Sequence, residues 1–439
     1  MSAYYTKLLK KAQEYVAIST WDPDRIFTKA KDVKIWLNNE SFLDFGCGPG
    51  VGNIGHNHSE VIEAVIRVLK NNEAGWGGNE LLNKHQINLS ERLCEITPGK
   101  FSKRVFFSNS GGEAVEAAVI ACLRRRPERR GMLSFIGDFH GRLGFGRTAT
   151  TSRQILFEGL PQGIEKAFYL IFPAENPETP EKKKFLDNFS TPEEYMSYVE
   201  NTIGPFINEI NFALLELVQG EGGINKAKKE IIQQLIEYLR EHKVWIIIDE
   251  VQSGLGRTGK MWASDIYEVE PDIITIAKAL SGGIIPIGAT VLRENLGFKQ
   301  LKEHCNTFGG GPLACAAGLK VLDIIEKDEL CKKSERQGKF LRERLKIAKS
   351  NCPQADELVY DISGHGLMSR ITFQNLDNDT PASEVRDMVA TTALELGLFL
   401  MSAGERSVRL MPPLTVNNQE IEKAVKIVIQ AINKVHSKL

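Results

Sequence analysis

The feature that most constrains the fold is a series of short, nearly continuous apolar runs through the middle of the chain. They read VFF at 105–107, MLSFI at 132–136, FALLEL at 212–217, VWIIID at 244–249, DIITIA at 272–277 and IGATVL at 287–292. Each is shorter than the roughly 10–12 residues of a helix, and none shows the polar alternation of a strand with one wet face. Between them lie stretches with helical periodicity, such as GEAVEAAVIACL and KKEIIQQLIEYLREH. Strands buried on both faces and separated by helices predict an α/β fold built on a mostly parallel sheet.

A chain of 439 residues exceeds the roughly 250–300 at which a single core stops growing, so more than one domain is expected. Residues 61–325 hold the alternating pattern and read as the large domain. Residues 326–439 read as a smaller α+β domain, with a helical stretch at 328–349, strands MSRITF and LFLMS, and helices near 383–396 and 418–436. Residues 1–60, with an amphipathic helix and the strands KIWL and SFLDF, are expected to join that small domain. The polar, proline-marked ETPEKKKFLDNFSTPEE at 178–194 reads as a surface insertion or linker.

Charge and cysteine usage exclude several classes of function. The net charge is −1, so no global field draws the chain to nucleic acid or to an anionic membrane. The basic run RRRPERR follows an apolar helix and reads as its solvated C-terminus. No apolar run approaches the roughly 20 residues that span a bilayer, and the N-terminus lacks a signal peptide's apolar core. Seven cysteines, odd in number and without a C-x-x-C pair, argue against a disulfide framework or a zinc site and point to a reducing, cytoplasmic setting. His56, His58 and His140 are too scattered to hold a metal, and none is expected.

Two glycine-rich stretches imitate other chemistries. LDFGCGPGVG at 43–52 resembles the first motif of S-adenosylmethionine-dependent methyltransferases. That reading needs a second strand about 20 residues on, ending in an acid for the ribose. NNEAGWGGNE follows instead and contains no apolar strand, so the glycines are read as a tight loop near the mouth of a site. GLGRTGK at 254–260 imitates a phosphate loop, yet Met261 stands where serine or threonine would bind magnesium.

The informative residues fall where strands end, the edge at which open parallel sheets bind ligands. SNSGGEA sets Ser110, Gly111 and Gly112 between a strand and a helix, and backbone N–H groups at a helix start suit a phosphate. Asp249 ends an apolar strand; it is either an ordinary turn residue or an acid that holds a proton on a heteroaromatic nitrogen. Lys278 follows another such strand; it is either a snorkelling surface lysine or an amine activated by desolvation for condensation with an aldehyde. Taken together, phosphate cradle, aspartate and lysine are the minimum set for pyridoxal 5′-phosphate.

Six motifs then occur in order: SNSGGEA, FHGR, LELVQGEGG, IIIDEVQSGLGRTGK, PDIITIAKALSGG and NTFGGGP. From FLDFGCGPGVGNIGHNH through VRLMPPL, most of the chain resembles the class III, fold-type I aminotransferases, which include 4-aminobutyrate, ornithine and acetylornithine aminotransferases. The resemblance implies a large, mostly parallel-sheet domain beside a smaller α+β domain. It implies that Lys278 is the Schiff-base lysine, that Asp249 pairs with the pyridine nitrogen and that Gln252 reaches the phenolic oxygen. Phe139 would stack on the ring with His140 among the cofactor contacts, while Ser110, Gly111 and Gly112 would hold the phosphate. Thr307 would reach that phosphate from a neighbouring subunit, which implies a homodimer with shared sites, alone or paired into a tetramer.

For substrates the resemblance implies three residues. Arg409 would grip an α-carboxylate bidentately, Glu221 would cover it when an ω-amino substrate enters, and Arg142 would take the distal carboxylate of 4-aminobutyrate. The implied reaction is ping-pong transfer from an ω-amino acid or amine, 4-aminobutyrate favoured, to a 2-oxo acid, namely 2-oxoglutarate. Ornithine or acetylornithine amino transfer, and racemase or aminomutase chemistry on the same fold, are the alternatives. The chain departs from the family pattern at Gly112 (threonine or alanine is usual), Leu143 (threonine) and Gly311 (asparagine).

Overall fold

The apolar runs assemble into one seven-stranded sheet. Its strands are β1 (Lys103–Ser108), β2 (Gly131–Ile136), β3 (Lys166–Ile171), β4 (Ile210–Leu215), β5 (Trp245–Asp249), β6 (Ile273–Ile276) and β7 (Gly288–Arg293). The computed structural model describes all residues except 1–2, 18–23, 76, 79–80, 190 and 376–379. Trp76, Asn79 and Glu80 of NNEAGWGGNE therefore lie outside the described residues. The strand order is β1-β7-β6-β5-β4-β2-β3, and only β7 runs against its neighbours. IGATVL, expected among the parallel strands, is the reversed one. The segment 277–287 that precedes it is too short for a parallel crossover, which needs a dozen or more residues and usually a helix. β3 was not anticipated, although AFYLIF at 167–172 is a continuous apolar run; it is one of the sheet's two edge strands and is half-buried.

Helices cover the sheet for reasons legible in their sequences. Helix α1 (Gly111–Arg125) starts directly after β1; the Ser110 hydroxyl caps it by accepting from Glu113 N. Its alanines at 114, 117, 118 and 121 are buried against the sheet. Helix α2 (Lys229–Glu241) buries Ile231, Ile232, Leu235, Ile236 and Leu239, one continuous apolar stripe. No helix among the described residues is long and apolar enough to cross a membrane.

The C-terminal part forms a second, antiparallel sheet ordered β8-β9-β11-β10, from β8 (Val359–His365), β9 (Met368–Phe373), β10 (Met401–Ala403) and β11 (Ser407–Leu410). LFLMS, expected as one strand, divides. Leu398–Phe399 pairs in parallel with Glu40–Asp44 of the N-terminal sheet, and Met401–Ala403 joins β11. Buried side chains tie the parts together. Arg257 of GLGRTGK, fully buried, donates to Asn53 Oδ1 at 2.7 Å, Leu367 O at 2.9 Å and Pro412 O at 2.6 Å. That loop is a structural clamp.

The described residues of 178–194, read as a surface insertion or linker, are ordered and lie largely at the surface. They hold the helix Pro180–Leu186 and the start of the helix Pro192–Ile203, capped by the hydroxyls of Thr179 and Thr191. Each proline occupies the first helical turn, where its missing N–H costs nothing and its fixed φ favours the helix, so the residue read as a breaker acts as a starter. Tyr195, Val199 and Ile203 are fully buried. Ser190 lies outside the described residues. Glu178 is also fully buried, and its carboxylate accepts from Glu405 N (3.2 Å), Arg406 N (2.9 Å) and Ser407 Oγ (2.8 Å). It pins the turn between β10 and β11. Glu178→Ala strands three donors and is expected to cost about 2–4 kcal/mol of stability, read as an earlier thermal transition, with Glu178→Gln intermediate. An unchanged transition in Glu178→Ala would contradict this account.

Candidate active site

Five strands deliver residues to one place from their carboxyl ends. β1 leads to Ser110–Gly112, β2 to Asp138–Gly141, β4 to Glu216, β5 ends in Asp249, and β6 leads to Lys278. Gly111, Gly112, Phe139, His140, Glu216, Glu221, Asp249, Gln252 and Lys278 line a cavity with about 540 Å³ of empty space, open to solvent on one side. Eight of these nine were anticipated from the sequence; Glu216 was not. Of the remaining anticipated residues, Arg409 adjoins the cavity through Glu221 and Gln252. Ser110 caps α1, and Arg142 is exposed, its guanidinium 6.0 Å from the centre of the Phe139 ring. Thr307 is exposed and not part of this lining.

Asp249 is buried and met by three donors. Val251 N and Thr275 Oγ1 reach its Oδ1 at 3.0 Å each, and His140 Nδ1 lies 2.8 Å from its Oδ2. Thr275 stands directly across the β5–β6 ladder from Asp249, so strand register supplies that hydroxyl. The other ring nitrogen of His140 lies 3.3 Å from Asp138 Oδ2. Burial opposes a charge on this imidazole, but its bonds to Asp138 and Asp249 prevail and raise its pKa to about 10. Both ring nitrogens then donate, and His140 is an imidazolium locked between two carboxylates.

Asp138 also receives Gln219 Nε2 at 2.9 Å and Glu216 N at 3.2 Å. Glu216 accepts from Phe139 N at 2.8 Å, fixing the backbone of the aromatic residue over the cavity. Burial, and then the charge of Asp138, push the Glu216 carboxyl well above the usual range. Lys278 sits at the cavity floor with its backbone in the left-handed region (φ 45°), a strained conformation that clusters at functional sites. Its ammonium has no hydrogen bond or ion pair among the described residues. Burial lowers its pKa, with Glu221 opposing and Arg409 reinforcing the shift.

At the opposite wall, Arg409 of β11 donates to Glu221 Oε1 at 2.6 Å and approaches Gln252 Oε1 at 3.4 Å. Burial disfavours charge on Glu221, but Arg409 outweighs it and the carboxyl pKa falls below its ordinary value. Gly220 is glycine for a reason: a Cβ there would stand 2.2 Å from Gln252 Oε1. Arg153, exposed on the loop after β2, brings Nη2 to 3.9 Å from Glu221 Oε2. Sequence reasoning passed over Asp138, Glu216, Thr275 and Arg153. Asp138 immediately precedes FHGR and Glu216 lies within LELVQGEGG, but only the fold shows that they face one another.

Two departures from the family pattern are neighbours in space. A Cβ on Gly112 would stand 3.2 Å from Leu143 Cδ1, so the leucine fills room that a side chain at 112 would need. Gly112→Thr alone is expected to overpack this wall and weaken cofactor binding about tenfold, and Leu143→Thr in the same chain to restore it, measured by equilibrium dialysis. For His140, a folded pKa near 10 lies above the ordinary value of about 6.5. Its stabilising contribution is therefore complete below about pH 6.5 and lost as the pH rises through about 10. Nitrogen-15 NMR should find its ring charged from pH 7 to pH 9 and its pKa lower in Asp138→Asn; a midpoint near 6.5 in the wild type would refute the assignment.

Residues 17–432 match the family described as aminotransferase class-III. The chain is 35% identical over 397 residues to an acetylornithine aminotransferase of Archaeoglobus fulgidus, covering 90% of this chain and 91% of that one. It is 31% identical to a probable 4-aminobutyrate aminotransferase of Bacillus subtilis, covering 89% and 88%. A solved aminotransferase of Bacillus anthracis, 26% identical, superposes with a TM-score of 0.87 over 99% of this chain and 100% of that one. A family match across nearly the whole sequence, on a fold that superposes on a solved aminotransferase, establishes that this chain belongs to the class-III aminotransferases.

Proposed function

We propose that this aminotransferase takes its amino group from the terminal amine of an ω-amino acid and passes it to a 2-oxo acid, 2-oxoglutarate, in two half-reactions that share one pocket. The observation that carries this reading is the closed Glu221–Arg409 pair beside Lys278. With Glu221 in place Arg409 is neutralised, and the pocket suits a chain whose carboxylate lies far from the reacting amine. With Glu221 displaced, Arg409 offers a carboxylate its planar fork, including an Nε that has no partner among the described residues. 4-Aminobutyrate and N-acetylornithine both carry the reacting amine at a terminal carbon, and relatives of both names share about a third of this sequence.

The cofactor is pyridoxal 5′-phosphate, and the residues present suit it. A Cβ at Gly111 would stand 2.9 Å from Val251, so the backbone beside the cavity is bare where a phosphate needs N–H donors. When bound, the cofactor supplies an electron sink for charge that develops on the donor carbon. Asp249, held by Thr275, Val251 and His140, would keep a proton on the ring nitrogen. Lys278 Nζ would tether the aldehyde and then carry a proton from the donor carbon; its lowered pKa leaves more of it as free base near neutrality. Arg142 would meet the substrate's distal carboxylate.

The assembly we infer is a homodimer in which Thr307 completes the partner's phosphate site. In support, Thr307 is exposed beside Phe308 (70% exposed) and near Leu301 (98%), apolar surface of the kind that a second copy covers. All seven cysteines are unpaired, which supports a reducing, cytoplasmic compartment.

The test is a donor panel on the PLP-loaded enzyme, following the cofactor absorbance in single half-reactions. Terminal amines such as 4-aminobutyrate or N-acetylornithine, and glutamate, should convert it, whereas Lys278→Ala should cut conversion by at least about a thousandfold. Conversion by plain α-amino acids only would defeat the ω-amine reading.

A further inference from the structure

Glu221 stands between two arginines and uses a different oxygen toward each. Oε1 is 2.6 Å from Arg409 Nη1, and Oε2 is 3.9 Å from Arg153 Nη2. The two cations differ in freedom. Arg409 lies in β11 with its side chain 3% exposed, whereas that of Arg153 is 42% exposed. Arg153 Nη2 also comes within 3.5 Å of Ser402 Oγ. Two residues further on, Gly404 N donates to the Glu221 carbonyl at 2.7 Å. The backbone of Glu221 is thus pinned while its side chain has a cation on either side.

We propose that Arg153 is the receiving partner of Glu221, the guanidinium onto which the glutamate moves when a substrate carboxylate takes Arg409. This rests on the reading of Glu221 and Arg409 given above and deepens it. A carboxylate arriving at Arg409 comes up against Glu221, and two carboxylates on one cation repel. A partly buried Glu221 without a cation would be costly, and that cost would fall on the binding of the 2-oxo acid. Lys278 also acts on Glu221, but it is committed to the cofactor. Arg153, long and exposed, can close the remaining gap by a change of rotamer. It is a positioning residue: it acts on the acceptor through Glu221 and makes no contact with it.

The experiment measures equilibrium binding of glutarate, an unreactive dicarboxylate, to the PLP-loaded enzyme by calorimetry. Arg153→Gln should weaken glutarate about tenfold, and Arg153→Lys should recover most of the loss. In a Glu221→Gln background, with no charge left to receive, Arg153→Gln should change glutarate affinity by less than about twofold. The half-reaction with a terminal amine, in which Glu221 stays on Arg409, should keep its wild-type rate in Arg153→Gln. The proposal is overturned if Arg153→Gln binds glutarate like the wild type. It is equally overturned if the loss persists in the Glu221→Gln background, since Arg153 would then touch the dicarboxylate directly. Failure of the underlying reading looks different: Arg409→Lys would leave glutarate binding unchanged, and this inference would fall with it.

Discussion

A carboxylate buried at the end of a strand must be met by donors, and the structure around the cavity is organised to meet Asp249. β6 lies in register with β5 so that Thr275 faces it, the turn after β5 folds back to give Val251 N, and the loop after β2 delivers His140. The imidazolium of His140 is then itself a buried charge, and Asp138 answers it from the other side. Glu216, beside Asp138, is left with the proton that a third buried carboxylate needs. The chain of hydrogen bonds makes the position of Asp249 a consequence of four strands at once.

The opposite wall is built by a different sheet, so the site depends on how the parts of the chain are joined. Arg409 lies on β11, directly across the ladder from Arg370 of β9. Arg370 is fully buried and donates to Gly223 O at 2.7 Å and Asn225 Oδ1 at 2.5 Å, just beyond Glu221. Glu178 holds the turn before β11, and Arg257 binds the loop after it. These buried polar groups fix where the carboxylate of Glu221 meets Arg409 and Arg153. Satisfied networks of this kind set geometry as much as they add stability.

Much of this was legible in the sequence, and the errors have identifiable causes. The apolar runs gave the sheet because strands buried on both faces leave no other pattern. Strand direction is carried by the connection and not by the run itself, and the short segment 277–287 was not weighed, so β7 was misread. Pro180 and Pro192 looked like linker residues because proline punctuates in both senses; only the caps at Thr179 and Thr191 tell a helix start from a stop. β3 was overlooked although its sequence carries a continuous apolar run, AFYLIF at 167–172, of the same kind that marked the other strands. At the site, motif residues such as Lys278 and Asp249 stood out because charges at the ends of apolar strands are rare.

The amino-acid sequence by itself determined the class of fold and the family, and it pointed to most of the residues that line the cavity. Those properties are local: a strand, the residue that ends it and the glycines that follow. The tertiary structure alone decided that Asp138, His140, Asp249 and Glu216 share a single hydrogen-bonded cluster, that Leu143 occupies the room beside Gly112, and that Glu221 lies between Arg409 and Arg153. Residues 153, 221 and 409 belong to three separate segments. Their electrostatic coupling falls off with distance in space, and only packing brings Glu221 within 4 Å of both arginines.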